Sequence, residues 1–248
     1  MSSVALEIKN LSKRFGGLQA IDHVNLTFKP WELRCLIGPN GAGKTTLFNL
    51  ITGRIKPNEG RILFEGKDIT RLKPHEISRL GIARKFQVPT VFDDLTILEN
   101  LGIAAGGRQS VRSIVFSRWN ETSVLNRVRE IMDMVHLSGR GDQLAATLSH
   151  GEKQWLEIGM VLAYRPRIML LDEPTAGMSP SETMETSHII RTISQNVTTV
   201  VIEHDIKFLR EIAENVTVLH RGAIIAEGTF EEIGNIALVR EVYLGKRG

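Results

Sequence analysis

The chain has 248 residues, of which 42% are hydrophobic and 24% are charged, and its formal net charge is +3. This composition is ordinary for a soluble globular protein and allows one or two domains with a sizeable core. The small charge gives no argument for nucleic-acid binding, and we expect no nucleic-acid partner.

The chain shows none of the sequence features of a secreted or membrane-spanning protein. No run approaches the ~18 apolar residues that span a bilayer. The N-terminal residues lack the basic and apolar regions of a secretory signal. The single cysteine, Cys35, excludes an internal disulfide and fits a reducing compartment. We therefore expect a protein kept in the cytoplasm, with any membrane role supplied through a partner.

The first elements are predicted to be strands. Residues 4–28 alternate apolar and polar side chains, which favours antiparallel strands with one covered face. Residues 34–37 read as a buried strand that contains Cys35, and residues 61–65 read as another strand closed by Gly66. The beginning of the chain is thus predicted to be rich in β-structure.

A phosphate-binding loop follows the strand at residues 34–37. Residues 38–45 read G-P-N-G-A-G-K-T and fit the pattern G-x-x-x-x-G-K-[ST]. Residues 46–51 continue as a helix, whose first-turn N–H groups lack intrahelical acceptors and can bind an anion. The alternative is a chance match on a glycine turn. The residues predicted to bind ATP here are Gly38, Pro39, Asn40, Gly41, Ala42, Gly43, Lys44, Thr45 and Thr46.

A polar side chain follows the next predicted strand, at residues 82–86. Gln87 stands directly after this strand, where an amide can reach a metal ion or an attacking water. The alternative is a polar loop residue without a catalytic role.

From about residue 95 the pattern turns helical. We assign residues 88–163 to a helical subdomain, which is inserted in a single domain that spans residues 1–248.

One segment of this subdomain, Leu148–Gln154, opens a helix and is called the signature segment below. Ser149 is a good N-cap and Glu152 stands three residues later, so that a capping box explains both residues. A serine hydroxyl and free N–H groups at a helix start also suit an anion. The residues by themselves leave these two interpretations open.

Carboxylates follow a continuous apolar run at residues 168–171, which is typical of a central parallel strand. Asp172 can hold Mg²⁺ together with Thr45. Glu173 can accept the proton of a water that attacks a γ-phosphate. The alternative is a solvated acidic turn.

A second apolar run, at residues 199–202, is followed closely by His204, which can donate to the same phosphate. A helix is predicted between the two runs, at about residues 180–195. Strand–helix–strand repetition predicts an α/β sheet with right-handed crossovers. The pattern after His204 predicts a closing hairpin around Arg221 and Gly222.

These motifs occur in the order found in ATP-binding cassette (ABC) ATPase subunits, and the chain resembles that family along almost its whole length. The resemblance rests on the phosphate loop, Gln87, the signature segment, Asp172–Thr175 and His204. It implies an α/β fold with a P-loop NTPase core of the ABC ATPase type, a β-rich N-terminal subdomain and an inserted helical subdomain.

The resemblance also implies a mechanism, in which two cassettes stack head to tail and clamp two ATP molecules. Each ATP would touch the phosphate loop of one copy and the signature residues Ser149, His150, Gly151 and Glu152 of the other. The roles implied for single residues are phosphate contact for Lys44, Mg²⁺ ligation for Thr45, Asp172 and Gln87, general base for Glu173, γ-phosphate sensor for His204, and adenine stacking for Phe15. For Phe15, packing at a strand end is the alternative.

Departures from the usual family pattern narrow the subgroup. The signature reads Ser149-His150-Gly151-Glu152 instead of Ser-Gly-Gly-Gln, and Ser179 replaces an aspartate that helps to couple the two sites. The chain resembles the ATPases of hydrophobic and polar amino-acid importers. Residues 84–92 look most like the urea and short-chain amide branch, with branched-chain amino-acid ATPases as its sibling.

The resemblance implies the partners as well. These are two membrane-spanning permease subunits, a solute-binding protein that acts through the permease, and a second cassette, either identical or related. The chain would lie peripherally at the cytoplasmic face of the cell membrane.

The helical subdomain, around Phe92, would receive a cytoplasmic helix of the permease, although ordinary core packing explains its apolar residues equally well. The basic stretch from Arg108 to Trp119 is expected to be a solvated surface.

Other roles stay open at this point. They are an ABC ATPase of DNA repair or of ribosomes, a lipid or lipopolysaccharide exporter, and a nucleotide-gated regulatory module. The length of the chain argues against the first group, since repair cassettes insert long coiled coils and ribosomal ones carry two cassettes. Glu173 argues against a pure switch, which can dispense with a catalytic base.

Overall fold

A computed structural model describes residues 4–85, 91–106 and 122–239. The described strands form two sheets, and their bounds are β1 (Leu6–Phe15), β2 (Leu18–Phe28), β3 (Leu33–Ile37), β4 (Glu59–Phe64), β5 (Lys67–Asp68), β6 (Ile82–Arg84), β7 (Ile168–Asp172), β8 (Thr198–Ile202), β9 (Asn215–His220) and β10 (Ala223–Gly228). The described helices are α1 (Lys44–Ile51), α2 (Pro74–Leu80), α3 (Ile97–Gly106), α4 (Thr122–Met134), α5 (His150–Ala163), α6 (Pro180–Ser194), α7 (Ile206–Ile212) and α8 (Phe230–Asn235). The α/β fold predicted from the sequence is confirmed.

The N-terminal sheet is antiparallel and has the strand order β2-β1-β4-β5. Its strands β1 and β2 cover the alternating residues of the sequence, with Leu6, Ile8 and Leu26 buried. The sequence-based expectation of an antiparallel, β-rich start is therefore confirmed.

The six-stranded sheet has the order β10-β9-β3-β8-β7-β6. Strands β6, β7, β8, β3 and β9 run parallel, and β10 returns antiparallel to β9. Every residue of β7 and β8 is buried, as expected for central strands with both faces covered. Arg221 and Gly222, both with positive φ, close the predicted hairpin.

The large sheet separates two apolar cores. Alternate residues of β7 point to opposite faces: Ile168 and Leu170 join the core beneath the N-terminal sheet and α1, whereas Met169 and Leu171 join the core beneath the helices. The sheet therefore fixes the positions of α1 on one side and of the helical region on the other.

The helical region is built around α5, which packs against α3 and α4. Leu156 and Ile158 of α5 are fully buried, and the Trp155 indole N–H donates to Thr186 Oγ1 of α6 at 2.8 Å. Helix α5 thus joins the helical region to α6. Whether residues 88–163 act as a separate subdomain stays a prediction.

Three short helices, α2, α7 and α8, are absent from the sequence-based assignment. Each has six or seven residues, too few for an apolar period to show. The capping residues do mark α2, since Pro74 starts it and Gly81, with φ of 113°, ends it. Among the described residues, no helix is long and apolar enough to cross a membrane.

We predict that Leu156→Ala lowers the free energy of unfolding by about 2 to 5 kcal/mol, because it leaves a cavity among α3, α4 and α5. Urea denaturation measures the change. The matched control is Leu144→Ala, since Leu144 is 47% exposed. An equal effect of the two substitutions would contradict the packing described here.

Candidate nucleotide-binding site

The loop between β3 and α1 depends on glycines that no other residue can replace without strain. Gly41 and Gly43 adopt φ of 79° and 109°, in the left-handed region. A Cβ on Gly43 would lie 2.5 Å from the Ala20 carbonyl oxygen, and one on Gly38 would lie 2.2 Å from the Leu219 carbonyl oxygen. Close backbone packing against β2 and β9 therefore sets the path of this loop.

The Lys44 ammonium lies over the loop, where Nζ donates to the carbonyl oxygens of Gly38 at 2.6 Å and Pro39 at 3.1 Å. Partial burial lowers the Lys44 pKa, while the negative charges of Glu173 and Asp172 oppose that shift. The ammonium and both carboxylates thus lie close enough to interact. The N–H groups of Thr45 and Thr46 are at the open start of α1.

Asp172 ends β7 and is 3% exposed. Its Oδ2 accepts from Arg84 Nη2 at 2.7 Å, and Arg84 Nη1 donates to Asn49 Oδ1 of α1 at 2.7 Å. Arg84 therefore connects the carboxylate to the helix of the phosphate loop. Sequence reasoning missed Arg84, although a cation in the strand that leads to Gln87, three residues before it, was a signal.

Glu173 and His204 meet at the same sheet edge. The His204 Nδ1 is 3.8 Å from Glu173 Oε1. Glu173 has φ of 49°, an uncommon conformation for a residue with a side chain, and its N–H donates to the Ile202 carbonyl at 2.9 Å. The strand end of β8 thus holds the strained backbone in place.

Buried Glu203 is a second residue that sequence reasoning missed. Its carboxylate accepts from the N–H groups of Thr175 at 3.2 Å and His204 at 2.9 Å, and from the Thr175 hydroxyl. These bonds join the loop after Glu173 to the segment that carries His204. Glu203 therefore helps to fix the backbone segments that carry the two proposed catalytic residues, Glu173 and His204.

Phe15 ends β1 with its ring 48% exposed, and Lys13 Nζ lies 5.2 Å from the ring centroid. An exposed aromatic ring beside a cation offers a face for a heterocyclic base. The role of Phe15 in adenine stacking stays a prediction.

The signature segment forms the predicted capping box. The N–H of Glu152 donates to Ser149 Oγ at 3.1 Å, and the N–H of Ser149 donates to Glu152 Oε2 at 2.8 Å. An ion pair with Arg140 lowers the Glu152 pKa, and the capping bond from Ser149 adds to that effect. The structural interpretation of these two residues is confirmed.

The signature segment also contacts the loop after Glu173. The Ser149 hydroxyl donates to Glu182 Oε1 at 2.9 Å, and His150 Nε2 lies 3.0 Å from the Ala176 carbonyl oxygen. Glu182 in turn accepts from the Ser179 N–H at 2.9 Å. Sequence reasoning missed Glu182.

Within the described residues, no hydrogen bond or ion pair joins the signature segment to the phosphate loop of the same chain. Gln87 and the basic stretch from Arg108 to Trp119 lie outside the described residues. The structure thus brings together the loop, Asp172, Glu173 and His204, and keeps the signature in a separate group with α6.

Comparison with known proteins identifies the family. Residues 21–176 match the family model described as ABC transporter. The chain belongs to the ABC transporter family. It is also 37% identical, over 256 aligned positions, to the "high-affinity branched-chain amino acid transport ATP-binding protein LivG" of Escherichia coli (strain K12), with 99% of this chain and 100% of LivG covered.

Solved structures agree with this assignment. The ADP conformation of MJ1267, an ATP-binding cassette of an ABC transporter, matches with a TM-score of 0.85 and 34% identity, covering 98% of this chain and 99% of MJ1267. The dimeric structure of the bacterial ABC transporter cassette MJ0796 matches with a TM-score of 0.75 and 26% identity, covering 90% and 98% of the two chains. The chain is therefore an ABC ATPase, as the sequence predicted.

We predict that Gly43→Ala abolishes ATP binding, because the new methyl group would strike the Ala20 carbonyl as well as strain the left-handed backbone. Gly41→Ala is the matched control, since a Cβ there meets no atom within 4 Å. The strain alone costs about 1 to 2 kcal/mol, so that Gly41→Ala should weaken binding by about tenfold. Equal losses in a fluorescent-nucleotide titration would contradict the role of close packing.

Proposed function

We propose that the chain is the ATP-hydrolysing subunit of an ABC importer and lies on the cytoplasmic face of the membrane. This proposal rests on one observation: four groups meet at one edge of the sheet, namely the phosphate loop, Asp172, Glu173 and His204. The LivG relative is named as a transport subunit, which supports the importer interpretation. The comparisons give no support to a role in DNA repair, on ribosomes or in lipid export.

The site suits Mg²⁺ as well as ATP. Asp172 Oδ2 is engaged by Arg84, whereas Oδ1 accepts no hydrogen bond among the described residues. This carboxylate oxygen, the hydroxyl of Thr45 and the amide predicted from the sequence at Gln87 would supply the oxygen ligands that this ion prefers. When bound, Mg²⁺ would neutralise negative charge on the β- and γ-phosphates.

The chain's own residues divide the chemistry among them. Lys44 and the N–H groups at the start of α1 bind and orient the phosphates, the largest contribution to phosphoryl transfer. Glu173 accepts the proton of the attacking water. His204, at 3.8 Å from Glu173 Oε1, donates to the γ-phosphate beside it. Phe15 stacks on the adenine.

The signature segment serves the ATP of another copy. Its Ser149 hydroxyl and the N–H groups at the start of α5 suit a phosphate, yet they make no bond to the phosphate loop of their own chain. A head-to-tail pair of cassettes would place them on the partner's nucleotide. The dimeric MJ0796 cassette supports such pairing, and the second cassette here is either identical or related.

A groove beside β6 fits the permease. It has a volume of about 430 Å³ and is lined by residues of α2, β6, α3 and α5 together with Phe92 and Tyr164. These two aromatic side chains are 51% and 61% exposed and line the same groove, and grouped exposed apolar side chains are typical of a protein-binding surface. The groove would receive a short cytoplasmic helix from one of two permease subunits, and the permease in turn would receive solute from a binding protein.

Two classes of solute are supported, one by the relatives and one by a stretch of this sequence. The LivG name favours branched-chain amino acids, whereas residues 84–92 resemble the urea and short-chain amide branch. Both solutes belong to the same importer group. The binding protein and the permease select between them, so that no residue of this chain contacts the solute.

We predict that Glu173→Gln binds ATP normally and loses turnover by about 10²- to 10⁴-fold, because the amide cannot accept the proton of water. Phosphate release and nucleotide titration measure the two effects. Lys44→Ala is the contrasting variant and should lose ATP affinity itself. Undiminished hydrolysis by Glu173→Gln would rule out the base assignment.

We also predict that Phe92→Ala weakens binding to the permease by about 1 to 2 kcal/mol, because the exposed ring fills part of the groove. ATP binding should not change. Co-purification with the permease in mild detergent, followed by mass spectrometry, measures the loss. The control is Trp31→Ala, which removes a 62% exposed ring away from the groove. Full assembly of the Phe92→Ala variant would sink the groove assignment.

A further inference from the structure

Two neighbouring residues at the end of β6 make polar contacts with different parts of the molecule. Arg84 bonds to Asp172 and to Asn49 on the phosphate side. Lys85 bonds instead to α5, where its ammonium lies 3.2 Å from Glu157 Oε2 and also donates to Gln154 Oε1. The end of β6 therefore touches the phosphate site through one residue and the signature helix through the next.

The Lys85–Glu157 pair is buried, with side chains 4% and 3% exposed. Burying two charges removes their hydration, and apolar replacements of such pairs are often equally stable or more stable. Folding by itself therefore gives no reason for this pair. Burial lowers the Lys85 pKa, and the charge of Glu157 opposes the shift.

The contacts of Lys85 restrict α5 in a specific way. Gln154 and Glu157 stand three residues apart, on one face of the helix, so that two points of that face are held by one ammonium group. The Lys85 N–H also donates to the Leu170 carbonyl at 3.0 Å, two residues before Asp172. Lys85 thus connects one face of α5 to β7, the strand that ends at Asp172, and so restricts the rotation of α5 relative to that strand.

We propose that Lys85 is a positioning residue, which sets the orientation of α5 so that Ser149 and Gly151 are presented correctly to the nucleotide of a partner cassette. The inference rests on the proposed function, since it assumes that ATP is shared between two copies.

The experiment uses the Glu173→Gln chain, in which we expect ATP-driven dimers to accumulate because ATP is not hydrolysed. Adding Lys85→Met should leave the ATP affinity of the single chain within about twofold and raise the ATP concentration needed for dimerisation by about tenfold. Nucleotide fluorescence measures the first quantity and analytical ultracentrifugation the second. The control is Arg167→Met, which breaks the exposed pair of Arg167 with Glu65 and leaves the contacts of Lys85 with Gln154 and Glu157 in place.

A second variant separates positioning from stability. In Lys85→Met/Glu157→Met both charges of the pair are replaced by apolar side chains, so that the thermal midpoint should recover while dimerisation stays impaired. Recovery of dimerisation together with the midpoint would overturn the inference, as would unimpaired dimerisation of Lys85→Met. If Glu173→Gln alone fails to bind ATP or to dimerise, the proposed function fails and this inference with it.

Discussion

The close backbone packing of the phosphate loop is the constraint on which the site depends. Gly38 and Gly43 approach carbonyl oxygens of β9 and β2 so closely that a single methyl group would have to displace them. The loop consequently follows one path, which leaves the start of α1 open toward a ligand. The remaining groups of the site are arranged around this fixed anion-binding surface.

The parallel sheet places the groups of the site at one of its edges. Strands β3, β8 and β7 are neighbours, so that the phosphate loop, His204 and the Asp172–Glu173 pair all follow strand ends on the same side. Hydrogen bonds of two side chains, Arg84 and Glu203, then connect the segments that carry these groups. Arg84 joins Asp172 to α1, and Glu203 joins the loop after Glu173 to His204.

We propose that one chain offers only part of an ATP site, and the same arrangement supports this proposal. The signature helix α5 starts from the helical region, and its Ser149 and His150 bond to α6 and to the loop after Glu173. A carboxylate, Glu182, lies against the Ser149 hydroxyl. The Ser149 hydroxyl and the His150 ring are thus engaged by α6 and by the loop after Glu173 of their own chain.

Sequence alone predicted those parts of the molecule that follow local rules. The phosphate loop, the capping box at Ser149 and the buried runs of β7 and β8 each have a short-range pattern, and the structure contains all of these elements. Arg84, Lys85, Glu182 and Glu203 were missed because each acts through contacts between elements far apart in sequence. The short helices were missed because six or seven residues show no clear apolar period.

We propose that two incomplete halves, from different copies of the chain, form one ATP site. A crystal structure of the chain with Mg²⁺ and a non-hydrolysable ATP analogue is the first measurement to make. We expect a γ-phosphate contacted by Lys44 of one copy and by Ser149 of the other, with the metal between Thr45 and Asp172. A nucleotide bound wholly by one copy, in a dimer or a monomer whose Ser149 still bonds to Glu182, would contradict it.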